Sequence, residues 1–187
     1  LEPDGEMWPA SLRSNADMEI GSGSHIVGDL VATGTILLAP PESVQVDGRL
    51  RPHQPAESLL SLDLSQFDPQ VLGRPSNDLA PSLGDITLSG LNRASSGLTV
   101  TGDLTLQDAL VFVEGDLALN GSLRGTGIVV ATGDLTLNGH SDLQASSRVG
   151  VAAGGTLSVR GQGRHDSMLR GVLYSRQGMD LRQLTVQ

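Results

Sequence analysis

The chain has 187 residues, a net charge of −9, 24 glycines and no cysteine, which points to one domain and excludes disulfide frameworks and thiolate metal sites. Hydrophobic residues make up 38% but aromatics only 2%, so the core must be filled by Leu, Val, Ile and Ala, unlike enzymes that rely on burying rings. No run approaches the roughly 18 apolar residues of a membrane-spanning helix.

Residues 1–17, with Pro3 and Pro9, read as an irregular lead-in. From Met18 to Val46, short apolar runs cut by glycine (MEI, HIVGDLV, TGTILL, SVQV) alternate as strands and turns do. Residues 39–81 then hold seven of the nine prolines, and within them Leu60, Leu64, Phe67 and Val71 fall at helical spacing. This region is expected to be a Pro-rich excursion carrying one short helix from about Leu62 and packing across a side or end of the remaining structure. Because the chain starts at Leu1 and stops at Gln187 just after LTVQ, it reads as a piece of a longer protein.

From Gly84 the pattern becomes regular to the C-terminus. Gly84–Asp108 recurs without a gap 31 residues later as Gly115–Gly139, with 11 of 25 positions identical. A fixed period built from short strands and Gly-Asp turns marks a solenoid. The fold class expected is therefore all-β: a parallel β-helix, with aliphatic side chains stacked inside backbone ladders. An antiparallel sandwich competes, but Asn120-Gly121 and Asn138-Gly139 recur at equivalent repeat positions, as corners would. If the period is one coil, Asp85 stacks under Asp116, Asp103 under Asp134, and Leu104 under Leu135.

No constellation in the sequence supports a reaction. The repeated aspartates lack a Gly-Gly-x-Gly-x-Asp frame and are too sparse for calcium; each is expected to accept backbone N–H bonds in its own corner. Asp108 and Glu114 could face outward near each other as glycosidase acids do, yet four aromatics in the whole chain leave little for sugar stacking. His25, His53, His140 and His165 show no metal-ligand spacing, and His165-Asp166-Ser167 are adjacent residues, not a triad. Lysine is absent, so there is no phosphate-binding P-loop, and no cofactor is expected.

Charge is uneven, with 6 Arg against 19 acids over residues 1–147 and 6 Arg against 2 acids over 148–187. If a polyanion docks anywhere, it should be at Arg160, Arg164, Arg170, Arg176 and Arg182, although scattered solvated arginines are the preferred reading.

The runs GLTVTGDLTLQDALVFVEGDLALNG and GIVVATGDLTLNG, preceded by DLSQF and followed by GVLYSRQG, resemble the β-solenoid region of PilX-like pilus-assembly proteins and large type IV minor pilins. The resemblance covers roughly residues 58–187. It implies a bacterial, extracellular or cell-surface module on a pilin stem, concerned with adhesion or DNA uptake. Its implied partners are other pilus subunits, and DNA or a surface glycan through the arginines. The function expected is thus a non-enzymatic display module, monomeric in isolation. A bactofilin-like polymerising scaffold and a carbohydrate-active β-helix are the alternatives.

Overall fold

The computed structural model describes residues 12–56, 61–139, 148–161, 168–169, 172–183 and 185–186. Short apolar-polar-apolar strands, each closed by a turn residue, wind into a three-walled parallel β-solenoid with almost no helix, as the fold class required. One wall, the long wall, is an unbroken sheet of eight strands in the spatial order 36–39, 18–21, 178–182, 156–160, 135–138, 117–119, 98–100 and 82–83. Every pairing in it is parallel.

The other two walls come largely from strands that bend. Ile86–Ala94, Leu104–Val113 and Leu123–Ala131 each run along one wall, turn at a register shift, and continue along the next. At two of these bends the backbone is left-handed, at Gly90 (φ 62°) and Asp108 (φ 50°). Glycine takes that conformation without strain and aspartate tolerates it better than most residues.

The stack does not follow chain order. The strand 18–21 sits on 178–182, with Ile20 opposite Leu181. The coils of residues 12–51 are therefore laid on the coil that contains 178–182. Residues 61–76 lie along the column, and pairing resumes at its far end with Asn77–Asp78 against Asn92–Arg93. The Pro-rich excursion is real but shorter than 39–81. Residues 36–39, 45–46 and 50–51 belong to the coil at one end, and 77–78 and 82–83 to the coil at the other. Its helix is a single 3-10 turn, Leu64–Phe67, capped where the Asp63 carboxylate accepts the Ser65 N–H at 3.1 Å.

This strap lies on the second wall, the strapped wall. Leu64 packs with Phe112, Val130 and Ala152, and Leu62, Phe67 and Tyr174 join them, outside the column. An ion pair fastens it: Arg93 Nε donates to Asp68 Oδ1 at 2.9 Å and Arg93 Nη2 donates to Glu114 Oε2 at 2.7 Å. Phe112 lies 6.0 Å below the same guanidinium. Burial opposes ionisation of Asp68, but hydrogen bonds from Arg93 and from the Gln70 N–H outweigh it and hold the carboxyl below its ordinary value.

The core is one aliphatic column. Leu98, Leu117, Leu135 and Leu157 succeed one another along the long wall, each 0–1% exposed. Leu104 lies on a different wall, between Ile86 and Leu123, so it does not stack on Leu135. The coil measures 18–22 residues, as the partners Ile86–Leu104, Leu117–Leu135 and Leu135–Leu157 show. The 31-residue similarity thus relates a strand on one wall to a strand on another. It recurs because all walls solve the same problem with the same Gly-Asp-Leu-Thr-Leu wording.

The aspartates stack accordingly. Asp85 Oδ1 accepts the Asp103 N–H and Asp116 Oδ1 accepts the Asp134 N–H, both at 2.8 Å. Each carboxylate satisfies the next coil's corner instead of its own. The glycines before Asp103 and Asp134 follow from this geometry: a Cβ on Gly102 would collide with the Asp85 carboxylate, and one on Gly133 with that of Asp116. Gly clears the space and Asp fills it. Asp103 does the same for Ser122, which is 5% exposed, through a 2.9 Å bond to its N–H. Asp103→Ala leaves that donor without its acceptor and should cost about 1–3 kcal/mol in urea unfolding, with Asp103→Asn recovering most of the loss.

Candidate functional site: the outer face of the long wall

Alternation along each strand sends every second side chain of the long wall outward. The central outward row, one residue per strand and in strict register, reads Ser82, Thr99, Ala118, Thr136 and Ser158. In this row five consecutive strands therefore carry only Ser, Thr or Ala, with the Ser158 hydroxyl itself buried and without a hydrogen-bond partner among the described residues. A second row beside it holds Asn120 and Asn138, where the Asn138 side-chain amide donates to Asn120 Oδ1 at 3.4 Å, and then Arg160.

Past Ser158 the character of the row changes. Its next members are Asp180, Glu19 and Leu37. Asp180 is held between two arginines, with Arg182 Nε at 2.8 Å and Arg160 Nη2 at 3.9 Å. The uncharged row thus runs from Ser82 to Ser158, with the exposed carboxylates of Asp116 and Asp134 at the corners beside it, and ends at an ion-pair cluster.

Among the described residues neither of the other walls offers such a surface. The strapped wall is covered by Leu64 and Phe67 along Phe112, Val130 and Ala152. On the third wall the outward row passes from Thr87 and Thr105 directly to Arg124, whose Nη2 approaches Asp103 Oδ2 at 3.6 Å.

Of the five arginines singled out in the sequence, the three that lie among the described residues do not share one basic surface. Arg160 and Arg182 neighbour each other on the long wall but share Asp180. Arg176 belongs to another side, where its guanidinium donates to the Leu62 carbonyl at 3.4 Å. Arg164 and Arg170 lie outside the described residues. The acids considered as a glycosidase pair are also apart in role: Glu114 is bonded to Arg93, while Asp108 forms the bend between two walls. His25 Nε2 meets Asp47 Oδ2 at 2.7 Å, an exposed link between successive coils, and His140 and His165 lie outside the described residues. Among the described residues no group of three or more His, Asp or Glu side chains could hold a metal ion.

Sequence reasoning missed the row because it depends on which strands share a wall. Thr99 and Thr136 are 37 residues apart, and the wrong coil length puts them on different faces. The available signal was the apolar-x-apolar triplet with a small central residue: Leu-Thr-Val, Leu-Ala-Leu, Leu-Thr-Leu and Leu-Ser-Val.

No protein-family profile and no curated protein matches the chain. Among solved structures, the fold is similar to an ice-binding protein from the Antarctic ascomycete Antarctomyces psychrotrophicus. The TM-score is 0.51 at 13% identity, over 95% of this chain and 92% of that one. An ice-binding protein from an Antarctic biological consortium matches with a TM-score of 0.45 at 15% identity, over 93% of this chain and 86% of that one. The first of these likenesses overturns the pilus-associated adhesion and DNA-uptake reading, along with its bactofilin-like and carbohydrate-active alternatives. The Gly-Asp turns behind the pilus resemblance are a general device for stacking coils.

Proposed function

We propose that this protein binds ice, through the outer face of the long wall over residues 82–158. The row Ser82, Thr99, Ala118, Thr136 and Ser158, one small side chain per strand in unbroken register, carries the reading. The likeness in fold to an ice-binding protein supports it.

Ice offers no charge, no cleft and no single strong hydrogen-bond donor. It offers a repeating lattice of water. A protein surface that holds it must be equally repetitive and rigid, so that many weak contacts are made together. Parallel strands spaced about 4.8 Å apart supply the repeat, and the backbone ladders supply the rigidity. Ser, Thr and Ala add little rotamer entropy to be lost, and Thr is further stiffened at χ1 by its branch. Their hydroxyls and methyls can order a layer of water that merges with the crystal, as bridging waters do in wet interfaces. Charged side chains hold their own hydration shells, which suits a boundary at Asp180 and Arg160 better than a place inside the patch.

Two bulky substitutions test this. Thr136→Tyr and Thr99→Tyr place a ring in the centre of the row and should reduce thermal hysteresis to the buffer background while leaving the unfolding midpoint unchanged. Thr87→Tyr, on the third wall, should leave hysteresis intact. Absence of hysteresis in the unsubstituted protein, or equal losses from both walls, would refute the assignment.

A further inference from the structure

Stacking places the same dipeptide twice on one wall. Asn120-Gly121 and Asn138-Gly139 close successive strands of the long wall, and both asparagine side chains are exposed in its second row. A Cβ at Gly121 would run into the Gly102 carbonyl, and one at Gly139 into the Gly121 carbonyl. The close approach of the corners therefore admits only glycine at both positions. The other three asparagines, Asn15, Asn77 and Asn92, are followed by Ala16, Asp78 and Arg93.

A glycine has no side chain to shield its backbone nitrogen from the amide before it. Asparagine is already among the thermolabile residues, and this neighbour removes the steric barrier to its loss. The Gly121 nitrogen gives its proton to solvent base and bonds to Asn120 Cγ. The Cγ–Nδ2 bond breaks, and ammonia leaves a cyclic imide. Water then adds to either imide carbonyl and opens the ring to a free carboxyl, as aspartate or as isoaspartate. One water is consumed and one ammonia released, with no change of oxidation state.

The two sites are not equivalent. Asn120 lies just past the paired strand Leu117–Leu119, whereas Asn138 is the last paired residue of its strand, opposite Arg160. The Asn138 amide also donates to Asn120 Oδ1 at 3.4 Å, which draws electrons from the carbon under attack.

We propose that Asn120, and more slowly Asn138, are sites of spontaneous deamidation, and that their conversion charges the ice-facing wall. Each event sets a carboxylate, ionised at neutral pH, two residues along the strand from Ala118 or Thr136. Such a group holds its own hydration shell beside the row of small side chains. The chemistry stands whether or not the wall meets ice, while its effect on ice rests on the function proposed above.

Ageing the full chain in warm, mildly alkaline buffer tests this. Trypsin places Asn120 in peptide 94–124 and Asn138 in peptide 125–148, so tandem mass spectrometry reads each site separately. Asn120 should convert first and Asn138 next, while Asn77 and Asn92 stay amides over the same period. Thermal hysteresis should fall in step with conversion, and freshly prepared Asn120→Asp should show the loss at once. Asn120→Gln combined with Asn138→Gln, which cannot close the same ring, should keep its hysteresis through the ageing. No conversion at Asn120, or conversion no faster than at Asn77, would overturn the site. Full conversion with hysteresis unchanged would overturn its effect on the ice-facing wall. Fresh protein without hysteresis would count against the ice reading alone, and the peptide map would still decide the site.

Discussion

Leu135→Ala should lower the unfolding free energy by about 2–5 kcal/mol, read as a fall in the urea midpoint. Leu135 is wholly buried, with Leu117 on one side and Leu157 on the other in strict register. Backbone ladders fix the separation of those layers, so the void left by the missing atoms cannot close by sliding one coil onto the next. The coils contact chiefly their immediate neighbours, as in other stacked architectures, and this sets the reach of the damage. Leu117→Ala combined with Leu135→Ala should depart from additivity by about 0.5–3 kcal/mol, because the two cavities merge. Ile20→Ala lies three strands further along the long wall, and its combination with Leu135→Ala should be additive within about 0.5 kcal/mol. A loss below about 1 kcal/mol at Leu135 would mean that the layers relax after all.

The second large effect is expected at the clasp of the strap. Arg93→Ala removes the guanidinium from Asp68 and Glu114 at once, and the side chains of Arg93 and Asp68 are only 13% and 10% exposed. A carboxylate left in that position has lost its partner, and such losses run to about 3–5 kcal/mol. Arg93→Met with Asp68→Leu, which replaces the pair by apolar groups, should cost much less than Arg93→Ala alone. The contribution also has a defined pH dependence. The Asp68 carboxyl titrates below its unfolded value of about 3.9, so its ion pair stabilises the fold fully above that pH and progressively less as pH falls through the native value. Measured in urea, the gap between Arg93→Ala and the unsubstituted protein should narrow on acidification from pH 5 downwards, because protonation also relieves the stranded carboxyl. A gap that widened in acid would contradict the role given to Asp68.

The solenoid was legible from composition and from the Gly-Asp turns, because aromatic-poor, glycine-rich layers have few other ways to bury a core. Its period was not. Leu104 and Leu135 occupy like positions in like sequences, and the sequence carries no mark that they stand on different walls. The aspartates were rightly taken as backbone acceptors, but Asp85 reaches across 18 residues to the Asp103 N–H where a bond within its own turn was expected. Tertiary stacking decides that partner. The strap was half legible: its prolines announced an interruption, whereas its clasp joins Asp68 to Arg93, 25 residues away on a wall strand. The outward row at Thr99 and Thr136 became visible only once coil length and wall were known. What the sequence could not carry, in each case, was adjacency between layers.

The seating of strand 18–21 on strand 178–182 means that segments 161 residues apart, at Ile20 and Leu181, meet inside the column. Ordinary solenoids can lose a terminal repeat and merely become shorter. Here, clipping away residues 178–182 would pull out an interior slab and leave two raw faces instead of one. It also means that the keystone contacts, such as Ile20 with Leu181, can form only after a long loop has closed. Such distant pairings make for slow folding.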